Sequence, residues 1–435
     1  MSRSSDRFLG SARARLRQLA SSARQILSAE EPTAQSRDDA NRDAAHAVAE
    51  EAGKLRGAPA KVAQLRAYLE LDDTISASAR QELAKLWDGV PPDPPQAIRR
   101  VVEEDLGAPI EALFASWDDV PFAAASLGQV HGATLADGTE VAVKVQYPGI
   151  AAALTDDLAS STLLRDLVGP GLGVGAAKDA LEAVRAAMLR EVDYVAEREA
   201  LDHFGRAFFG DPQIVLPRAC ADRSSRRVLT MTRLRGRNLA DLGDASPGAR
   251  AQVARTLFRF MFGGPLRHGL VNGDPHPGNY LVLDAEAGKV GFLDFGFVVE
   301  LGPLQAIERE LWLSIVRRDG EGLRFFAHEE GLVPHPSIFD HAAWRDFEHA
   351  LGAPFLQRGA KRFGRGEAGE LARSVRHLVR AGSVQLRPAA VVLWRQRIAA
   401  MAVIGSIEAS LDLRRILCEI LDDDRHPTPL YERYR

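Results

Sequence analysis

The chain contains 435 residues, of which 46% are hydrophobic and 26% are charged, the balance of an ordinary folded protein. Its length exceeds one average domain, so we expect two lobes or two domains. The net charge of −4 gives no reason to expect a nucleic acid partner. Two cysteines, Cys220 and Cys418, are too few for a disulfide framework or a thiolate metal site, which indicates a reducing, cytoplasmic compartment. The best candidate for a membrane span, residues 398–407, is too short to cross a bilayer.

The first 50 residues form a basic segment followed by a polar linker. Residues 1–28 carry six arginines against a single acid, Asp6, and their leucines and isoleucines recur at roughly helical spacing. A basic amphipathic helix of this kind can lie on an anionic membrane surface. A solvated helix or a partner-docking segment explains the same pattern, so both interpretations stay open.

The next segment, residues 51–118, is predicted to be a helical extension. Its leucines and valines recur at helical spacing, and it contains Lys61 and Gln64, which composition alone would place on a helix surface. The proline-rich residues 91–95 end this pattern. A short helix over 96–104 and another over 110–114 are expected to follow.

Residues 133–146 are predicted to form a β-hairpin around the Asp137-Gly138 turn. In the second strand, Val-Ala-Val-Lys at 141–144 matches the V-A-I-K strand of protein kinases. Side chains alternate along a strand, so Ala142 and Lys144 share one face and the valines share the other. On that face Ala142 would leave room for adenine and Lys144 would reach phosphates.

The loop before this hairpin is predicted to contact the nucleotide phosphates. A protein kinase carries G-x-G-x-x-G here, whereas this chain has Ala123, Ala124, Ala125 and Ser126. Backbone N–H groups can still cradle phosphate, but each Cβ restricts how closely the chain approaches it.

A long helix is predicted from about residue 177 to 204. A phosphate-binding lysine needs a glutamate on a helix to hold its ammonium group. Glu197 is the first candidate for that partner and Glu199 is the second. Helical spacing places Asp193 on the same helix face as Glu197, whereas Glu191 lies on a different side of the helix from Glu197. Strands over 214–217 and 227–231 follow, with Met231 next to the adenine and residues 232–236 as a hinge.

The most informative stretch is residues 271–296. Asp274 and Asn279 are five residues apart, the separation of the base and the metal-binding asparagine in H-R-D-x-x-x-x-N. Apolar runs at 281–283 and 290–293 flank a polar turn and predict a hairpin that returns Asp294, of an Asp-Phe-Gly sequence, to this site. Two carboxylates and an amide then converge, which suits Mg²⁺.

The remainder is predicted to be mostly helical. The expected helices cover 250–269, 304–317, 320–329, 342–351, 368–381 and 387–422.

The ordered set of motifs resembles the UbiB-like atypical kinases, also called the ADCK or AarF group. The resemblance covers about residues 51–300, and it rests on short segments at 61–64, 123–131, 141–144, 191–197, 274–279 and 294–296. It implies a protein-kinase-like fold whose helical N-terminal extension packs over the site where a kinase takes its peptide. The residues implied to line that cover are Lys61, Gln64, Glu191 and Asp193. The family is associated with ATP hydrolysis coupled to isoprenoid lipid or quinone metabolism at membranes.

The chain departs from the family pattern at three places. The usual Lys-x-Gly-Gln is Lys-Val-Ala-Gln at 61–64, which loses the close approach that glycine permits. The usual His-Ala before the catalytic aspartate is Asn272-Gly273, which removes a ring that would pack against the Asp-Phe-Gly segment. The hinge has Thr232-Arg233 where Glu-Tyr is more common.

We therefore predict an α+β, two-lobed protein-kinase-like fold with a small β-rich N-lobe and a helical C-lobe. The predicted boundaries are a basic N-terminus at 1–50, the helical extension at 51–118, the N-lobe at 119–235 and the C-lobe at 236–435. The predicted activity is that of a Mg²⁺-dependent atypical kinase or ATPase that binds ATP or ADP. Asp294 and Asn279 would hold the metal, Lys144 with Glu197 would place the phosphates, and Asp274 would orient or deprotonate the acceptor.

The expected partners are the nucleotide, an isoprenoid lipid or membrane surface, and lipid-biosynthesis enzymes, with no nucleic acid. The expected location is cytoplasmic with peripheral membrane contact. Two alternatives stay open. The sequence Gly-Asp-x-His-x-x-Asn at 273–279 also fits an aminoglycoside or choline kinase type of phosphotransferase, although Lys61, Gln64 and the alanine-rich loop argue against it. A nucleotide-binding pseudokinase scaffold is the other.

Overall fold

The computed structural model describes residues 92–125, 127–159, 189–330, 341–380 and 388–421. The basic helix predicted at 1–28, the segment carrying Lys61 and Gln64, and Ser126 of the alanine-rich loop lie outside these residues.

Strands in the described residues follow in chain order. They are β1 (Ser116–Trp117), β2 (Ala123–Ala125), β3 (Gly128–Thr134), β4 (Glu140–Gln146), β5 (Ile214–Val215), β6 (Val228–Thr232), β7 (Arg237–Asn238), β8 (Leu270–Asn272), β9 (Tyr280–Asp284), β10 (Lys289–Phe292), β11 (Val298–Glu300), β12 (Lys361–Arg362) and β13 (Ser410–Leu411). Helices are α1 (Pro95–Leu106), α2 (Ile110–Leu113), α3 (Ile150–Ala159), α4 (Tyr194–Ala207), α5 (Pro247–Gly263), α6 (Leu304–Arg317), α7 (Gly320–Glu330), α8 (His341–Leu356), α9 (Arg365–Arg380), α10 (Pro388–Ser406) and α11 (Leu413–Leu421).

The N-lobe is an antiparallel sheet in the order β1-β3-β4-β6, with β2 paired to β3. The predicted hairpin is present: Asp137 accepts a hydrogen bond from the Thr139 N–H at 2.9 Å, and Gly138 takes a positive φ of 85°. The valines of β4 face α1 and pack against Ile98 and Val102. Ala142 lies on the other face, in the larger core shared with the C-lobe. The side chains of β4 therefore alternate between its two faces, as predicted.

A second sheet, in the order β5-β10-β9-β7, contains the hairpin predicted around residues 284–289. In its register Val282 lies opposite Val290 and Leu281 lies opposite Gly291. The Leu293 N–H then donates to the backbone oxygen of Asn279 at 3.0 Å. This hairpin returns the chain to its starting point, so Leu293 lies beside Asn279 and Asp294 follows directly after it.

Two predicted helices are interrupted. The helix predicted over 177–204 breaks at residues 192–193, because Asp193 takes an extended φ of −122° and caps α4 by accepting from the Val195 N–H at 3.1 Å. The prediction that Asp193 shares a helix face with Glu197 is therefore wrong. The helix predicted over 387–422 is divided into α10 and α11, with β13 between them and Glu408 at a positive φ of 53°. Apolar periodicity continued across both breaks and concealed them.

Helices α5 to α11 pack around large buried aromatic side chains, which include Trp312, Phe347 and Trp394. Arg397 of α10 is also buried there, where it contacts the carboxylate of Glu308 and lies 4.4 Å from the centre of the Trp394 ring. Among the described helices, none has the combination of length and apolarity that a membrane span requires.

Candidate active site

Lys144 lies at the centre of the cleft between the sheet of the N-lobe and the C-lobe, and only 6% of it is exposed. Its ammonium donates to Glu197 Oε1 at 2.7 Å and to Glu197 Oε2 at 2.9 Å. It also donates to Asp294 Oδ2 at 3.2 Å. One lysine thus joins β4, α4 and the segment after β10. Of the two glutamates considered for this contact, Glu197 makes it, whereas Glu199 is exposed.

Burial and charge oppose each other around this lysine. Burial lowers the pKa of Lys144, but the carboxylates of Asp294 and Glu197 outweigh that effect and raise it well above its usual value. Burial raises the pKa of the Glu197 carboxyl to about 7, although the Lys144 ammonium opposes that shift. Lys144 is therefore the cationic member of the cluster at neutral pH.

Tyr194 was not anticipated as a site residue. It begins α4, and its ring centre lies 5.1 Å from Lys144 Nζ, within the range of a cation–π contact. Burial raises the pKa of its phenol, so the ring stays neutral beside the lysine. The Glu191-x-Asp193-Tyr194-x-x-Glu197 pattern included this tyrosine, but spacing alone gave it no role.

The loop from Asp274 to Asn279 is held by its own hydrogen bonds. The Asn279 side-chain N–H donates to the backbone oxygen of Asp274 at 3.1 Å and approaches Asp274 Oδ2 at 3.5 Å. His276 Nδ1 accepts from the Gly278 N–H at 3.1 Å, so this histidine caps the short turn Pro277–Asn279. The loop therefore presents Asp274 and Asn279 side by side.

Asn272 is a second residue whose role the sequence did not reveal. Its side-chain N–H donates to the backbone oxygen of Asp294 at 2.8 Å, and its Oδ1 accepts from the Asp274 N–H at 3.1 Å. One buried amide thus ties the loop that carries Asp274 to the segment that carries Asp294. The departure from His-Ala to Asn272-Gly273 was the available signal, but it was interpreted as the loss of a ring.

Asp294, Asn279 and Asp274 form an oxygen-rich group that fits Mg²⁺. Asp274 Oδ1 is buried and accepts no hydrogen bond from a described group. Within the described part of the chain, no three His, Cys, Asp or Glu side chains form a metal site by themselves. Mg²⁺ is often held by one or two protein carboxylates together with phosphates and water. The carboxylates and the amide of this site suit that kind of coordination. The metal would neutralise charge on the phosphates.

The alanine-rich loop is a β-hairpin arm in which Ala123 pairs with Val130 and Ala125 with Gly128. A Cβ on Gly128 would lie 2.1 Å from the Val145 backbone oxygen, so this glycine permits the close contact of β3 with β4. Ala123 and Ala124 are exposed. Behind this arm, Ala142 lies opposite Met231 in the β4–β6 register, and both belong to the buried inner face.

The residues predicted to line the cover of the site are only partly described. Glu191 is buried just before the break that precedes α4. Asp193 caps α4 and forms an ion pair with Arg226 at 3.5 Å. Because Lys61 and Gln64 lie outside the described residues, the covering role of these four side chains stays a prediction.

A two-lobed fold with a lysine–glutamate ion pair beside an Asp-Phe-Gly segment defines a kinase-like protein. The family model described as the ABC1 atypical kinase-like domain matches residues 85–326, and the chain belongs to this family. Both the resemblance to the UbiB-like group and the predicted kinase-like fold are confirmed.

Two curated relatives are named as atypical kinases. The mitochondrial atypical kinase COQ8B of Rattus norvegicus is 30% identical over 330 residues, which cover 75% of this chain and 61% of that protein. The mitochondrial atypical kinase COQ8 of Saccharomyces cerevisiae is 28% identical over 246 residues, which cover 56% and 48% of the two chains. An uncharacterized Synechocystis protein is 36% identical over 56% of this chain and 42% of its own length. The chain therefore spans between about two fifths and three fifths of these relatives.

One solved structure is similar over most of its length. The Rv3197–erythromycin complex from Mycobacterium tuberculosis matches with a TM-score of 0.61 and 25% identity. The match covers 86% of this chain and 95% of that one.

Proposed function

We propose that the cleft binds ATP with Mg²⁺ and that the protein transfers or hydrolyses the γ-phosphate. The observation that carries this proposal is the buried Lys144 ammonium held by both Glu197 and Asp294. A buried lysine that bonds two carboxylates within a two-lobed cleft is placed to exchange one of them for phosphate oxygens.

Each side chain has a distinct part in this proposal. Glu197 keeps the Lys144 ammonium directed into the cleft, where it binds the α- and β-phosphates. Asp294 and Asn279 hold the metal. The Asn272 side chain holds the segment that carries Asp294 against the loop that carries Asp274. Asp274 orients the acceptor hydroxyl or water and takes its proton through the carboxylate oxygen that no described group engages. Positioning and charge neutralisation supply most of the barrier reduction.

We further propose that the acceptor or effector is an isoprenoid lipid or quinone precursor at a membrane surface. The support is the family membership and the relatives named COQ8B and COQ8. The basic residues 1–28 would contribute the contact with anionic lipid, and lipid-biosynthesis enzymes would be the protein partners.

Phosphate release from Mg-ATP tests the nucleotide chemistry. Purified full-length protein would be assayed with and without anionic liposomes, next to the Asp294→Asn variant. We expect turnover that rises with liposomes and is lost in the variant. Turnover that persists in Asp294→Asn would refute the site assignment. Nucleotide-induced thermal stabilisation without any turnover would instead identify a pseudokinase scaffold.

A further inference from the structure

An open hollow of about 860 Å³ lies beside the C-terminal end of α4. Its walls come from α4, from the turn after that helix, from β5 and from the segment that follows β5. Most of the lining is apolar and includes Leu201, Phe208, Val215 and Leu216. No residue assigned to the nucleotide site lines it, so it is a separate feature of the surface.

Phe209 stands at the edge of this hollow and is 91% exposed. The turn that carries it is ordered by hydrogen bonds: the Phe209 N–H donates to the Arg206 oxygen at 3.3 Å, and the Asp211 N–H donates to the Phe208 oxygen at 3.1 Å. Gly210 takes a positive φ of 83° within the turn. An aromatic ring held in water by a fixed turn next to an apolar hollow is typical of a docking surface.

The charges around the hollow are predominantly basic. Arg206, Arg218 and Lys289 line it and are exposed, and none of the three forms an ion pair with a described residue. Asp211 also lines it, but its carboxylate pairs with Arg259. Asp202 is the remaining acid, so three unpaired positive charges face one negative charge. An occupant with carboxylates would complement this rim.

Helix α4 connects the hollow with the kinase-like site. Glu197 lies in the first turn of α4, and Leu201 and Arg206 of the same helix line the hollow. Phe208 in the wall contacts Phe204 with ring centres 6.2 Å apart, and Phe204 lies 5.0 Å from Phe295, the residue after Asp294. A partner bound here would therefore touch the helix that holds Lys144 in place.

We propose that this hollow docks an acidic, amphipathic segment of a partner protein. An aromatic or leucine side chain of that segment fills the hollow against Phe209 and Leu216, and its carboxylates face Arg206, Arg218 and Lys289. This proposal concerns the binding of a partner, and it does not depend on whether the protein transfers or hydrolyses phosphate.

The test uses a phage-displayed library of random 12-residue peptides selected on the purified full-length chain without nucleotide. Peptides that also bind the Phe209→Glu variant are removed, and an enriched peptide is then synthesised and its Kd measured by fluorescence anisotropy. Phe325→Glu is the matched control for Phe209→Glu, because Phe325 is also exposed (58%) but lies on α7. Arg324→Glu is the control for Arg218→Glu.

We expect enriched peptides that combine acidic residues with phenylalanine, tryptophan or leucine. The expected Kd rises at least tenfold in Phe209→Glu, rises at least threefold in Arg218→Glu and with added salt, and is unchanged in both controls. Failure to enrich any peptide, or enrichment of basic peptides, would overturn the proposal.

Two further outcomes would assign the hollow to a different occupant and also overturn it. A dimer in sedimentation equilibrium that Phe209→Glu abolishes and Phe325→Glu preserves would make the occupant a second copy of the chain. Sedimentation with phosphatidylglycerol vesicles that depends on Phe209 in the same way would make it a membrane.

Discussion

At the scale of single residues, the site depends on which glutamate reaches Lys144. Glu197 and Glu199 are two positions apart, yet only Glu197 is buried and bonded to the ammonium. We expect Glu197→Gln to weaken Mg-ATP binding at least tenfold, or about 1.4 kcal/mol, because the neutral amide lets Lys144 turn fully toward Asp294. Isothermal titration with Mg-ATP measures this. Glu199→Gln is the matched control, and equal losses in both variants would argue against the Glu197 assignment.

Asn272 gives a second prediction at this scale. Asn272→Ala removes both hydrogen bonds of the amide, the one to the Asp294 carbonyl and the one from the Asp274 N–H. We expect a loss of about 1–3 kcal/mol in the free energy of unfolding, together with weaker Mg-ATP binding. Chemical denaturation and titration measure the two effects.

Asn272→Asp separates the two bonds, because a carboxylate accepts from the Asp274 N–H but cannot donate to the Asp294 carbonyl. Asn238→Ala, on the exposed strand β7, serves as the control. If Asn272→Ala and Asn238→Ala unfold at the same denaturant concentration, the bridge does not contribute to stability.

At the scale of secondary structure elements, a chain of polar contacts fixes the segment before α1 to β3. The Asp93 N–H donates to Gln129 Oε1 at 2.9 Å, and the Gln129 side-chain N–H donates to His131 Nε2 at 2.9 Å. His131 Nδ1–H donates to the Asp118 backbone oxygen at 2.7 Å, and Trp117 stacks on the ring at 4.8 Å. This chain of bonds requires the neutral imidazole, with its proton on Nδ1.

Acid should therefore destabilise the lobe through His131. Burial lowers the pKa of His131 below its ordinary value of about 6.5, although the Asp118 carbonyl opposes this effect. Below about pH 6.5 the unfolded chain binds a proton that the native ring does not bind, so stability falls as the pH falls through this range. We expect the free energy of unfolding to decrease between pH 7 and pH 5, and this decrease to be smaller in His131→Asn.

Urea denaturation at several pH values measures this slope. His349→Asn is the control, because His349 is exposed on α8. A pH slope that is identical in the wild type and in His131→Asn would show that another group causes the acid sensitivity.

At the scale of the whole molecule, the helical lobe contains a buried ion pair that joins α6 to α10. Arg397 is 2% exposed and Glu308 is fully buried, with Arg397 placed between the rings of Trp312 and Trp394. Removing one partner leaves the other charge buried without compensation, so we expect Arg397→Met to cost about 3–5 kcal/mol. The double variant Arg397→Met/Glu308→Leu should recover most of that loss.

Guanidinium denaturation distinguishes this pair from a surface pair. Arg362 and Glu408 also form an ion pair, but both side chains are exposed, and Arg362→Ala should change the free energy of unfolding by less than about 1 kcal/mol. Equal effects of Arg397→Met and Arg362→Ala would contradict the assignment of the buried pair.

The sequence by itself determined the family, the kinase-like fold and the convergence of Lys144, Asp274, Asn279 and Asp294. These features depend on local rules: alternation along β4, the five-residue separation in the catalytic loop, and a hairpin that returns the chain to its starting point.

Only the tertiary structure decided how the elements end and which neighbours they meet. The break before α4 depends on Asp193 accepting from a backbone N–H, and the bridge made by Asn272 joins atoms 22 residues apart in the chain. The hollow beside Phe209 is formed by a helix, a turn and a strand whose residues look ordinary in sequence. The Asp193 cap is local, but apolar periodicity does not report the hydrogen bonds of polar side chains. The Asn272 bridge and the contact of Lys289 with the hollow depend on how separate segments pack together.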